Sequence, residues 1–551
     1  MVIKIDLKKP NKFLSKEPID VRGDFLVDLG QYMILVNSRK ESVHDLTFDD
    51  FNLMARQVLA AYKKKEWWSE FRTVFPNGLY NPGVKPGTKY QVKDEKTLGR
   101  KLGERGIEFA QSRAKEMIDA GKEKYDIEIE HVILESCTTY IKNPPTDAEF
   151  QCVYCGSPTN FIFAKKDFPF YGTKTYANFM PNLTGGLPVC GRCYFYMFIS
   201  PLAYHGIGKG WFLTIQTNNS AIMKQWVVEK LHETLSGRPD VTIYRKSFDL
   251  KTKDGAIFFD VFTILDHLEM EKERIAEFKN TSLYFFLWSN GNQNATLERI
   301  LFPRNVFNFI LSLKIEDLMN QFYEIIHAGF IIQKSPKKAE PAGSTAKPAK
   351  RKGKKTEDTV DMPVIEGADF STIYEHTGNA EQTRWKENFN IVLRRLLEGK
   401  SILGFFIDKE NGHVRSSWPV LKCYLIEVMR MSETKIDLIK KVGLAISQLM
   451  NSVDRDKYKR DLFWDIERCD KVKYLVSYFA MADRIALEQG IEMPVKFTDV
   501  VSVLFPSMDL GDFPKDWELV RDLIRFLIYE NSKEIVKNYL SKDRTTTTGD
   551  A

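Results

Sequence analysis

Nowhere does this chain hold eighteen consecutive apolar residues, the length that a membrane-spanning helix requires. Its most apolar stretches, such as SLYFFLW at 282–288, are of strand length. The opening MVIKIDLKKPNKF lacks the apolar core and small-residue cleavage site of a secretory signal. A cytoplasmic location without membrane contact is therefore expected. Cysteine is scarce, seven in 551 residues, which excludes a disulfide scaffold. Catalytic motifs are missing as well: there is no Gly-x-Ser-x-Gly elbow and no Gly-Gly-Asp-Asp sequence. In GIGKG at 206–210, Lys209 is followed by glycine where a phosphate-binding loop needs Ser or Thr. His44 and Asp45 stand without further His or Asp ligands at metal spacing, and His131 and His327 lie in apolar surroundings that suit core histidines. No residue set offers a catalytic centre, so the expectation is a protein that is not an enzyme.

What is present is the composition of an ordinary globular protein, with length enough for several domains. The net charge of +6 is mild, but its distribution is uneven. Lys334 to Lys355 carries nine basic side chains, one acid and no large apolar residue, a composition that cannot bury a core. This marks 333–362 as a disordered basic linker. Before it lies a region of mixed signals, 1–332. A helix is expected from Thr47 through Tyr62 and another over Leu98–Ala120, with FPNGLYNPGVKPG at 75–87 as a loop. Strands are expected in IEIEHVILES (127–136), GWFLTIQT (210–217), VTIYRKSF (241–248), AIFFDVFTIL (256–265) and SLYFFLWSN (282–290), all rich in β-branched or aromatic residues. After the linker, over 363–551, apolar residues recur at three and four: Trp385 to Leu396, Ile436 to Leu449, Val472 to Ile485 and Leu519 to Leu527, with Ile535 beyond. Ser432 marks a helix start. The fold class is thus α+β, a mixed amino-terminal region followed by an all-α carboxyl-terminal helical bundle.

Four of the seven cysteines form two Cys-x-x-Cys turns, QCVYCG and PVCGRCY, separated by thirty-four residues. Each turn offers two sulfurs from one tight loop, and Gly156 and Gly191 permit the turns. Cys152, Cys155, Cys190 and Cys193 together complete a tetrahedral structural zinc site within 150–196 and leave no open position for catalysis. His205 could substitute only if one cysteine defaulted. The other reading of the thiols is a redox pair, against which two matched turns argue. The stretch between the turns mixes Lys165, Lys166 and Lys174 with aromatics and amides, which suits phosphate and base contacts or, equally, a surface loop with its own aromatic core.

One polar loop stands out. In SNGNQNATLERILFPRN, Asn290, Asn292, Gln293 and Asn294 surround a glycine after a strongly apolar strand. Side-chain amides suit base edges, and Arg299 or Arg304 could hold phosphate nearby. The alternative is a hairpin turn that uses Asn for its backbone tolerance. Asn218 and Asn219 in QTNNS are a weaker instance. On the bundle, Arg394 and Arg395 are candidates for single-strand backbone contact, though a solvated helix face explains them as well.

WWSEFRTVFPNGLYNP, the paired cysteine turns astride a long insertion, FLWSNGNQNATLERILFPRN and the helical last third together resemble the large subunit of type I-B CRISPR Cascade surveillance complexes, over about 23–540 apart from the basic linker, which does not match the family pattern. The resemblance implies a non-catalytic prokaryotic protein. It would bind the 5′ end of guide CRISPR RNA, recognise a protospacer-adjacent motif on target double-stranded DNA and promote strand separation. Its partners would be the Cascade backbone, RNA-processing and small subunits, and it would help recruit a helicase-nuclease in antiviral defence. The bundle would resemble the small subunit. Such division of labour fits guided recognition, in which base pairing reads the long sequence and protein reads a short motif. The rival expectation is a free-standing zinc-ribbon protein that binds or processes RNA.

Overall fold

The computed structural model describes residues 24–62, 89–92, 125–163, 187–208, 211–236, 248, 252–268, 275–290, 295–332, 388–409, 411–505 and 517–547. The chain divides into two compact units, Met1–Asn308 and Phe309–Ala551. It is a mixed α+β protein whose carboxyl-terminal region is helical.

The first unit opens with α1 (Phe25–Ser38), capped by Asp24, whose carboxylate accepts from the Leu26 and Val27 amides. α2 follows at Phe48–Tyr62, as the cap and acids of Thr47-Phe-Asp-Asp predict; the Asp50 carboxylate accepts from the Thr47 amide at 2.6 Å. β1 (Lys89–Val92) pairs antiparallel with β2 (Tyr125–Glu128), which runs directly into α3 (Ile129–Lys142). Two small ladders come next, β3 (Phe150–Gln151) with β4 (Pro158–Thr159), and β5 (Ile162–Phe163) with β6 (Leu187–Pro188). They lead into α4 (Gly191–Ile199). β7 (His205–Gly208) and β8 (Trp211–Thr217) precede α5 (Ser220–Ser236), α6 (Lys253–His267) and the short α7 (Ile275–Lys279). β9 (Leu283–Asn290) and β10 (Ala295–Phe302) then complete an antiparallel sheet in the order β10-β9-β8-β7. One face of this sheet packs on α5 and α6, through Trp226 against Phe285 and Phe258 against Phe302. The other takes α1, where Phe25 stacks on Phe286 at 4.2 Å.

Two strand expectations fail for one reason. AIFFDVFTIL is not a strand but the body of α6, capped by Thr252, and Ala256 through Leu265 are all buried. A helix wrapped on every side loses its polar stripe, and aromatic, β-branched composition then mimics a strand. The run at 127–136 is strand only at Ile127–Glu128, after which α3 takes over. GWFLTIQT and SLYFFLWSN supply β8 and β9 as expected. VTIYRKSF, apart from Phe248, lies outside the described residues, as do the 98–120 helix and the 75–87 loop.

α1 and α4 cross at glycine. A Cβ on Gly30 would stand 2.2 Å from the Tyr196 carbonyl oxygen. Because backbone cannot swing aside as a side chain can, Gly30→Ala should lower stability by ~3 kcal/mol or more. Gly443→Ala, which meets only the Leu527 side chain at 2.4 Å, should cost less, and Gly404→Ala, with open space, almost nothing. Urea unfolding of the three variants checks this order.

In the second unit, α8 (Arg304–Ile315) begins just before the boundary and is followed by α9 (Met319–Ala328) and β11 (Phe330–Ile332). β11 pairs antiparallel with β12 (Asn388–Asn390), with Ile332 opposite Asn388. α10 (Ile391–Leu397), the hairpin of β13 (Ile407–Asp408) and β14 (His413–Val414), and α11 (Trp418–Glu427) come next. Six helices follow among the described residues: α12 (Glu433–Ser452), α13 (Asp456–Glu467), α14 (Val472–Glu488), α15 (Phe497–Leu504) and the pair α16 (Trp517–Asn531) and α17 (Lys533–Thr547). Ser432 caps α12 by accepting from the Lys435 amide, as its position predicts. α12 and α16 pack closely, and Ser447 Oγ donates to the Leu527 carbonyl at 3.2 Å.

The bundle differs from the expectation in three respects. It is not purely helical, since it carries the β11–β12 and β13–β14 ladders. The helix expected from Trp385 is shortened to α10, because 388–390 are drawn into pairing with β11 and Asn390 caps the helix through the Leu393 amide. The boundary also moves. Phe309 packs on Phe322 at 5.0 Å and on Tyr424 at 5.6 Å, so residues from Phe309 onward belong with the helices and not with 1–308. The expected basic linker at 333–362 lies outside the described residues, and the strands β11 and β12 on either side of 333–387 pair with each other within the second unit.

Candidate metal centre

The first cysteine turn is built on the β3–β4 hairpin. The Cys152 amide donates to the Ser157 carbonyl at 2.8 Å, the Gly156 amide donates to the Cys152 carbonyl at 2.8 Å, and Gly156 sits at φ +70°, in the left-handed region open to glycine. The second turn is the start of a core helix. Cys190 is the N-cap of α4, and its sulfur accepts from the Cys193 amide at 3.4 Å. The turns are laced together away from the sulfurs. The Val153 amide donates to the Pro188 carbonyl at 3.0 Å, the Val189 amide donates to the Phe161 carbonyl at 3.1 Å, and Thr159 Oγ1 donates to the Val189 carbonyl at 3.2 Å.

All four sulfurs lie within 4.8 Å of one another, with Cys155 and Cys190 at 3.5 Å. A metal bound tetrahedrally at about 2.3 Å from each sulfur sets them about 3.8 Å apart, so the four sulfurs are gathered closely enough to hold an ion. Cys152, Cys190 and Cys193 are buried and Cys155 is half-buried. Crowding divides the protons. Contact with Cys152, then with Cys190 and Cys193, holds the Cys155 thiol far below its ordinary value. Contact with Cys155 pushes Cys152 up, but Cys190 and Cys193 pull it down to about 6. Contacts with Cys152, then Cys155, raise both Cys190 and Cys193. A cation at the centre removes this conflict, because it stabilises all four sulfurs as thiolates together.

The supports of the cluster were not legible in the sequence. Tyr140 on α3 packs so closely over the second turn that a Cβ on Gly191 would stand 2.8 Å from its Cβ, and its hydroxyl donates to the Pro158 carbonyl at 2.6 Å. Burial, and then the neighbouring Cys190 and Cys155 sulfurs, push the Tyr140 hydroxyl above its ordinary range, so it remains a donor. Tyr154, between the first two cysteines, bonds the Asp24 carboxylate that caps α1. No motif announces either tyrosine.

His205 is not a ligand. Its Nδ1 lies 2.7 Å from Asp260 on α6, whose other oxygen accepts from Lys230 on α5 at 2.7 Å, and all three are buried. Lys230 also lies over the Trp226 ring at 4.9 Å. Burial pushes the Asp260 carboxyl up, but His205 and Lys230 outweigh it and hold the group below the usual carboxylate range.

The remaining candidates are dispersed. Lys165, Lys166, Lys174, Asn292, Gln293 and Asn294, with the Asn290 side chain, lie outside the described residues; the backbone places Asn290 opposite Ala295, so 291–294 connect a hairpin. Asn218 and Asn219 serve the local fold. The Asn218 carboxamide oxygen accepts from the Ser282 amide at 2.8 Å, and Asn219 caps α5 through the Ala221 and Ile222 amides. Arg304 donates to the Lys279 carbonyl at 2.8 Å and to the Asn280 side chain. Arg299 is exposed on β10. On α10, Arg394 is exposed and Arg395 donates to the Ser401 carbonyl at 3.0 Å. His44 and Asp45 form an exposed 3-10 turn, and among the described residues the four cysteines are the group of three or more side chains that could hold a metal. No helix among the described residues is long and apolar enough to cross a membrane.

Comparison with protein-family models, with curated proteins and with solved structures finds no match for this chain.

Proposed function

We propose that the metal is a structural Zn²⁺ and that the chain is a non-catalytic, nucleic-acid-binding scaffold, the large subunit of an RNA-guided surveillance complex of the Cascade type. The observation that carries the reading is the closed cluster of four sulfurs. Four thiolates saturate a tetrahedral ion, so the centre fastens chain segments and leaves bond breaking to another polypeptide. The resemblance of the 67–82 stretch, the cysteine turns and the 286–305 stretch to the Cascade large subunit suggests the partner class: guide RNA, target DNA, the other Cascade subunits and a separate helicase-nuclease.

The test is co-expression with a Cascade backbone subunit and a guide RNA. The chain should join the ribonucleoprotein and bind RNA only weakly when purified alone. Tight binding of single-stranded RNA by the isolated chain would favour the free-standing zinc-ribbon protein instead. Incubation with Mg²⁺ or Mn²⁺ and labelled DNA should yield no cleavage, and cutting that is lost in a His44→Ala variant would refute the scaffold. Within an assembled complex, alanine at Asn290, Asn292, Gln293 and Asn294 should weaken discrimination of the adjacent motif by roughly 1–3 kcal/mol per base contact, read as relative affinity for matched and mismatched duplexes.

A further inference from the structure

The four-stranded sheet of the first unit ends on β10, which among the described residues pairs with β9 alone. The strand is eight residues long, holds no proline or glycine, and keeps register with β9 without a bulge. Edge strands invite pairing and are normally blunted by proline, a bulge or charged side chains, and of these β10 has only its two charges, Glu298 and Arg299. Alternation puts Leu297, Arg299 and Leu301 on one face, and Leu297 and Leu301 are 52% and 57% exposed. Glu298, on the opposite face, is engaged by Lys253 at 2.8 Å. Arg299 lies over the Tyr284 ring at 4.1 Å and has no carboxylate partner among the described residues.

We propose that β10 is a docking edge for an extended segment of a second, different polypeptide, which adds to the sheet as a fifth strand and sets an acidic side chain, flanked at alternate positions by apolar ones, against Arg299. This edge, unpaired among the described residues, presents alternating amide donors and carbonyl acceptors, which a peptide backbone matches and a phosphodiester chain does not. The apolar side chains on either side of the arginine likewise favour a peptide, since they add nothing to a phosphate contact. Charge argues against a second copy of this chain. Two-fold antiparallel pairing about the middle of β10 would set Arg299 opposite Arg299 or Glu298 opposite Glu298, and like charges directly opposed destabilise a ladder. This inference does not rest on the nucleic-acid reading, and either can fail alone.

The test uses the full chain and a fluorescent synthetic peptide, Thr-Leu-Thr-Asp-Thr-Leu-Thr, followed by anisotropy. The peptide should bind. Arg299→Glu, an exposed substitution, should weaken it at least ten-fold, and replacing the peptide Asp by Lys should restore binding to that variant. N-methylation of alternate peptide amides should abolish binding, which a side-chain contact alone would not do. Hydrogen exchange in β9 and β8 checks that the variant sheet is intact. Failure of the peptide to bind the unaltered chain would overturn the proposal, as would equal binding of the N-methylated peptide. Sedimentation that shows a dimer lost on Leu301→Glu would assign the edge to a second copy. Displacement of the peptide by a thymidine oligonucleotide whose own binding is lost in Arg299→Glu would assign it to nucleic acid.

Discussion

Cys190→Ser should release the bound metal and take with it most of the stability of the first unit. The reason is where Cys190 sits. It is at once a sulfur of the cluster and the N-cap of α4, whose residues from Cys193 through Ile199 are buried and whose Tyr196 carbonyl abuts Gly30 of α1. Structural zinc in small domains is bound with an apparent ~10–16 kcal/mol, while a whole domain is stable by only ~5–15 kcal/mol, so loss of even a third of the former is severe. A loss of ~4 kcal/mol should lower the melting temperature of the unit by about 8–16 °C. Metal released to a chromophoric chelator should fall from one per chain to near zero. Hydrogen exchange of the α4 and α1 amides should accelerate while that of α12 and α16 stays unchanged. Cys469→Ala, which removes a thiol of the second unit that is not one of the four, should keep the metal. A Cys190→Ser chain that retains one metal and unaltered exchange would show that these sulfurs do not hold the fold.

Asp260→Ala should be nearly as damaging without touching the metal. The carboxylate answers both His205 and Lys230 inside the unit, and its removal takes from a buried ammonium the carboxylate that lies 2.7 Å from it. Breaking a buried pair from one side costs ~3–5 kcal/mol, because desolvation of the remaining charge is no longer offset. The double variant Lys230→Met with Asp260→Leu, which removes both charges, should be less destabilised than Asp260→Ala alone; equal loss in the two would mean that the network carries no such charge coupling. The sign of the pH dependence follows from the same contacts. The folded-state pKa of Asp260 is depressed. Its contribution is therefore fully present above the ordinary carboxylate value of about 3.9 and is lost as pH falls through the lower folded value. Urea midpoints of the parent chain and Asp260→Asn should accordingly converge only in strong acid.

The cysteine turns, the β9 strand and the α2 and α12 starts were legible because each rests on neighbours within a few residues: a glycine that permits a turn, a hydroxyl or carboxylate that meets an amide three residues away. The failures lie where burial is complete or where partners are distant. α6 was read as a strand because, buried along Ala256–Leu265, it shows no polar face. His205 was weighed as a spare metal ligand, since nothing near it in the chain announces Asp260, fifty-five residues on. The pairing of the strands that flank the basic segment was not legible either, because composition carries no information on which distant strands meet.

Taken alone, the sequence determined the class α+β, the four sulfurs and their pairing into two turns, and the helical character of the last third. These depend on spacing, periodicity and local backbone freedom, which the order of residues encodes directly. Only the tertiary structure decided that the second turn begins a core helix, that Tyr140 and Tyr154 brace the cluster, and that β10 is, among the described residues, an edge of the sheet. Those are matters of which surfaces meet, and they arise from packing between segments far apart in the chain.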